Sequence, residues 1–250
     1  MLFVKWGKYI RNISNKQIKI KKMKRITIIS IVIILVTISC KTKDSIEVQT
    51  NIFQDLKAEF RVDDNKTIGW ATFREKDEDG IRLELSGEAS VLFNGEKHDK
   101  FSNLDNYFYS WNTHGLEDVE YTFTDNSGTS FTNKILLNDT INISIPINFI
   151  DIELDKTMQV KWVGKPLGEN EEIQMYIKQG NLISGLSFLG EEGASIIEME
   201  PSFFDNLSVG EAVLYIERTR TINNIEQADE AGGRKVLSVV RNKTINITAK

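Results

Sequence analysis

Cysteine is almost missing from the 250 residues: the chain has one, Cys40. A single thiol excludes an internal disulfide, a Cys-x-x-Cys redox pair and a cysteine-rich zinc site. Histidine is nearly as scarce, with His98 and His114 alone, so a Ser-His-Asp triad would have to pass through one of them. Neither stands in a useful spacing. His98 lies in the charged run Glu96-Lys97-His98-Asp99-Lys100 and His114 precedes Gly115, both loop contexts. There is no His-Glu-x-x-His, no phosphate-binding loop and no Gly-x-Ser-x-Gly; Gly185-Leu186-Ser187-Phe188-Leu189-Gly190 is mis-spaced for a nucleophile elbow. Alanine occurs eight times, and no amphipathic run of three turns stands out after residue 40, which argues against helices. Residues 1–39 contain no Asp or Glu and 9 of the 31 Lys and Arg. The remainder therefore carries 22 basic and 36 acidic side chains, a net charge of −14. Such a body repels phosphate backbones, so nucleic acid is not an expected partner.

What is present at the start is a basic run, Lys16–Arg25, an uncharged apolar stretch, Ile26–Ile38, and then Ser39-Cys40. That is the order of an export signal. The 13-residue apolar stretch falls short of the roughly 20 needed to span a bilayer core. Thr37-Ile38-Ser39-Cys40 resembles the lipoprotein box of bacterial exported proteins, with Thr37 where Leu is commonest. The resemblance implies cleavage before Cys40, lipidation there and permanent membrane attachment through three acyl chains. Met23-Lys24-Arg25 would itself make a compact start to such a signal. Residues 1–39 are thus the expected signal and 40–51 a polar, lipidated tether. Lys41 in place of Asp suits an outer-membrane destination, on either face, and the Ile/Asn/Lys-rich composition resembles that of Bacteroidota proteins. Asp44-Ser45-Ile46 and Asp139-Thr140-Ile141 resemble the O-glycosylation acceptor of that phylum, which makes Ser45 and Thr140 candidate modification sites.

From residue 52 onward, two-residue alternation dominates. Leu56, Ala58, Phe60 and Val62 share one face of an extended segment; Ile81, Leu83, Leu85 and Ala89, Val91, Phe93 repeat the pattern before the hairpin signal Asn94-Gly95. Val119–Phe123 and Phe131–Leu137 flank Asp125-Asn126-Ser127-Gly128 as a second hairpin. Further strands are predicted at Ile150–Leu154, Met158–Trp162, Ile173–Ile177, Val213–Thr221 and Val236–Val240, with a single helical turn in Pro201–Leu207. The class is all-β. Asp139-Thr140-Ile141-Asn142-Ile143 echoes Lys243-Thr244-Ile245-Asn246-Ile247, and Asn65-Lys66-Thr67-Ile68 echoes Asp155-Lys156-Thr157-Met158, each of the latter two running on to a tryptophan. These echoes suggest two tandem immunoglobulin-like β-sandwiches, 52–146 and 147–250, with the boundary near Pro146–Asn148.

Aromatic crowding is the feature most suggestive of a ligand. Tyr107, Tyr109 and Trp111 share one strand face near Phe101 and Phe108. Exposed rings of this kind stack on sugars, although aromatics at period two also build sandwich cores. Trp70 and Trp162 are expected in the core. Glu75-Lys76-Asp77-Glu78-Asp79-Gly80 starts like a calcium loop but has Ser86 where the bidentate Glu belongs, so it reads as a solvated turn and no metal or cofactor is expected. The leading expectation is a non-catalytic, lipid-anchored binding or assembly module of the envelope, held on the membrane through Cys40 and meeting an envelope protein or a glycan. Alternatives are surface glycan capture, a carboxylate-dependent hydrolase near His114, and docking of an exposed strand edge on a membrane partner.

Overall fold

The computed structural model describes residues 43–45, 51–103, 106–137 and 142–249. Apart from one short turn of 3-10 helix at Pro201–Phe204, every regular element in them is a strand. In chain order the first ten are β1 (Lys43–Asp44), β2 (Ile52–Arg61), β3 (Lys66–Glu75), β4 (Leu83–Glu84), β5 (Ser90–Phe93), β6 (Glu96–Lys97), β7 (Asp99–Asn103), β8 (Asn106–His114), β9 (Val119–Thr124) and β10 (Ser130–Ile135). The remaining eight are β11 (Asp151–Glu153), β12 (Met158–Lys161), β13 (Glu171–Gln179), β14 (Leu182–Ile183), β15 (Ser187–Leu189), β16 (Ile196–Met199), β17 (Gly210–Ile222) and β18 (Gly233–Thr248).

A ten-stranded sheet forms the backbone of the fold, in the order β14-β13-β17-β18-β2-β3-β8-β7, with β11 beside β18 and β15 beside β13. Most neighbours are antiparallel, but β18 and β2 pair in parallel from Gly233↔Gln54 to Val240↔Arg61. Two smaller sheets, β10-β9-β5-β6 and β12-β16, contribute to one continuous core with its inner face. Along β2 the residues Ile52, Leu56 and Ala58 point inward and are buried, while Phe53, Asp55 and Lys57 alternate with them to the other side. Phe73 of β3 meets Phe123 of β9 with ring centroids 4.5 Å apart. Gly69 allows the closest approach: a methyl group at its Cα would sit 2.9 Å from Phe93 Cδ1 and 3.0 Å from Val119 Cγ1. Under β13 and β17, Met158, Val160, Trp162, Ile197 and Met199 join the same core.

The turns follow local chemistry. Asn94 and Gly95 both take positive φ, 49° and 78°, the geometry a two-residue hairpin between β5 and β6 demands. Between β9 and β10, Asp125 Oδ1 accepts the backbone N–H of Ser127 at 2.8 Å and of Thr129 at 2.9 Å, closing the second predicted hairpin.

The division expected near Pro146–Asn148 does not interrupt the sheet. Thr42–Lys250 forms one compact unit, because β18 from the second half adds directly to β2 from the first. Cross-links reinforce the join: Asn133 and Gln227 exchange hydrogen bonds through Asn133 Nδ2 to the Gln227 carbonyl at 2.8 Å and Gln227 N–H to Asn133 Oδ1 at 2.9 Å. Two tandem sandwiches are therefore corrected to one unit with a shared sheet, in which each half supplies its own covering sheet.

Candidate functional site

Most of the inner face of the long sheet is occupied by core packing, which leaves the outer face, the loops and the strand ends most open to a ligand. On the outer face the register sets three rows. Asp55 lies between Thr72 and Arg234, Lys57 between Trp70 and Val236, and Glu59 between Ile68 and Ser238. All of these except Ile68 and Ser238, together with Phe108 of β8, line a groove of about 560 Å³. Trp70, Phe108 and Val236 give it apolar walls; Asp55, Lys57, Glu59 and Arg234 supply charge.

Every one of those charges has a partner. Arg234 grips Asp55 with Nε to Oδ1 at 2.9 Å and Nη2 to Oδ2 at 3.0 Å, and its Nη1 reaches Glu78 at 3.1 Å. Lys57 Nζ bridges Glu217 at 2.7 Å and Glu59 at 3.1 Å. Glu59 also accepts from Arg61 Nε at 2.6 Å, and Glu217 accepts from the Ser238 hydroxyl at 2.6 Å. Burial alone would raise the Glu59 carboxyl pKa, but Lys57 and Arg61 outweigh it and hold the group below the usual carboxylate range. Burial works against the Lys57 ammonium in the same way, and Glu217 and Glu59 reverse it, raising that pKa. Both ion pairs thus favour the charged forms of Glu59 and Lys57. What the groove can do is present a fixed pattern of donors and acceptors beside an aromatic ring. Further along the same face Tyr176 and Tyr215 stack, 4.9 Å apart and 6° from parallel. At the opposite side Arg82 lies 4.3 Å above the Phe108 ring, a cation–π contact that fixes that wall.

The aromatic platform expected on β8 is not presented to a ligand. Tyr109 is 1% and Trp111 8% exposed, both inside the core. The Tyr109 hydroxyl accepts the Leu85 N–H at 2.6 Å and Trp111 Nε1 donates to Glu96 at 2.6 Å. Tyr107 has the same parity on β8 and is half-buried. The physical reason is the parity of β8: Tyr109 and Trp111 pair with Ala71 and Gly69, whose positions face inward. Trp70, expected in the core, takes the opposite parity and lines the groove. Trp162, 3% exposed, is in the core as expected. Ser45 is fully buried, its hydroxyl 3.3 Å from the Ser86 carbonyl and from Asn126 Nδ2, so its reading as a glycan acceptor is corrected: no sugar could be attached there in the folded state. His114 is exposed at the end of β8, with Nε2 3.1 Å from Asn65 Nδ2. Cys40 and Thr140 lie outside the described residues.

Asp55-x-Lys57-x-Glu59-x-Arg61 alternates on β2 and was the available signal for the groove. It reads equally well as an ordinary solvated strand face, because what turns it into a site is Trp70 and Arg234, brought beside it from 15 and 179 positions away. No protein-family model and no curated protein matches the chain.

Proposed function

We propose that this protein is a non-catalytic, lipid-anchored binding module of the bacterial envelope, attached through Cys40, whose ligand lies in the groove on the outer sheet face. The observation that carries the reading is the contrast between the two faces of β2, β3 and β18. One face is consumed by the core; the other combines the Trp70 ring with the locked pairs Asp55–Arg234 and Lys57–Glu59. Locked pairs lose little side-chain entropy when a ligand arrives, which favours recognition over chemistry. Within this reading, Trp70 favours a glycan, since a flat ring beside carboxylate and guanidinium groups suits a sugar with an apolar face and hydroxyl edges.

The test is binding of soluble envelope oligosaccharides to the wild type, Trp70→Ala and Asp55→Asn by calorimetry, with circular dichroism to verify the fold. Loss of binding in folded Trp70→Ala supports the groove. Binding that survives both substitutions refutes it. Retention of the protein on membranes, and its release in Cys40→Ala, tests the anchor separately.

A further inference from the structure

A second cavity, about 350 Å³, lies where residues 142 and 165–168 meet the ends of β13 and β17. Along β17 the inward series Ala212, Leu214, Ile216 is continued by a cation, Arg218, which is 3% exposed. Its guanidinium donates to the carbonyls of Asn142 at 3.3 Å, Lys165 at 2.8 Å and Pro166 at 2.8 Å, and it is paired with Glu171. Arg220 leans on the same carboxylate, Nε to Oε1 at 2.8 Å, with 38% of its side chain still reaching solvent. Lys165 is exposed at the rim.

The charge count does not close. Among the residues that line the cavity, two guanidinium groups share one carboxylate and Lys165 adds a third positive charge, a surplus of two within the lining. Residues 40–250 are otherwise strongly acidic. Among the described residues, Arg218 Nε is buried without a hydrogen-bond partner. A buried cation is costly unless it is paired and its donors are used. A ligand carrying two negative charges would neutralise the surplus, and a phosphate group near neutral pH carries about that charge on three acceptor oxygens.

We propose that this cavity is an anion site that takes a phosphate group, either free or as a small monoester. It is separate from the groove and independent of the glycan reading. A carboxylate carries half the charge and leaves the site unbalanced, which makes acetate the discriminating control.

The experiment uses the full chain in detergent, at constant ionic strength, with inorganic phosphate, glycerol 3-phosphate or sodium acetate added. Phosphate is expected to raise Tm saturably by about 2–4 °C while acetate does not. A stronger response to glycerol 3-phosphate assigns the site to a monoester such as a lipid headgroup, and an equal or weaker one to the free ion. Lys165→Gln changes an exposed side chain and should leave the unliganded Tm near that of the wild type. Arg220→Gln also removes donors from the buried Glu171 carboxylate and should lower it, so its phosphate response is read against its own unliganded Tm. Each should weaken phosphate binding about tenfold. The ¹⁵N signal of Arg218 Nε should shift with phosphate and stay unmoved by acetate. A non-saturable response, an equal response to acetate, or unchanged affinity in both variants would overturn the proposal.

Discussion

Trp70 and Trp111 lie on adjacent strands and on opposite faces of the same sheet, so truncating each to alanine separates core from groove. Trp111 is 8% exposed and its Nε1 donates to Glu96 at 2.6 Å. A buried aromatic side chain removes about 150–250 Å² from water, which at roughly 25 cal/mol per Å² corresponds to about 4–6 kcal/mol. Loss of the hydrogen bond adds about 1 kcal/mol. Partial collapse of the surrounding side chains returns some of this, and truncation of a core aromatic typically costs about 3–5 kcal/mol. Against a total stability of roughly 5–15 kcal/mol, Trp111→Ala should remove at least about a fifth of the margin, and all of it at the low end of that range. Trp70 keeps one side on the groove and packs against Lys57 and Ser110 across the strands, so Trp70→Ala should cost about 1–2 kcal/mol. Urea unfolding followed by far-UV circular dichroism measures both, with the midpoint shift converted through the wild-type slope. A Trp70→Ala cost equal to or larger than that of Trp111→Ala would refute the assignment of the two faces.

Glu171→Gln should destabilise by about 3–5 kcal/mol, because Arg218 would be left buried without a counter-charge. The same carboxylate makes stability pH-dependent. Burial would raise its pKa, but hydrogen bonds from Arg218, the Gly168 N–H and Arg220 bring it below the usual carboxylate range. Its contribution is therefore complete above that range and is lost as pH falls through the depressed folded-state pKa, so unfolding midpoints should drop on acidification. Glu171→Gln should lack that part of the slope; an identical pH profile would exclude Glu171 as its source. Gly69→Ala should cost about 1–3 kcal/mol through contact with Phe93 and Val119, seen as a lower thermal midpoint, and a neutral result would show that the two sheets can separate there freely. Gly95→Ala meets open space, so its cost should be limited to about 1–2 kcal/mol from the φ of 78°, measurable by the same midpoint.

Local features were legible where local physics decides. Asn94-Gly95 and Asp125-Asn126-Ser127-Gly128 carry their turns in their own side chains, and Leu56, Ala58, Val91, Phe93, Tyr121 and Phe123 are buried as their alternation predicts. Phase was harder. β3 reads Ile68-Gly69-Trp70-Ala71-Thr72-Phe73, apolar on both faces, and nothing within it says whether Trp70 or Phe73 goes inward. The choice is made by Phe93 and Val119, which need a glycine opposite them and so take the parity of Gly69. Domain count was lost for a related reason. The parallel pairing of β18 with β2 is a contact between strands almost 180 positions apart, with no turn motif to announce it. The echoes around Thr140 and Thr244 pointed to repetition and could not reveal that the two halves share a sheet. Ser45 was misread because a three-residue pattern carries no information about burial.

The β2–β18 seam also orders events in time. During synthesis β2 emerges about 180 residues before the strand that completes its open side. Until β18 arrives, β2 and β17 each keep an unpaired edge and the sheet is two separate pieces. Closing so long a loop is slow, which postpones cooperative folding until nearly all of the strands are present. The last long strand thus acts as the latch: the two halves become one cooperative sheet only when it is in place.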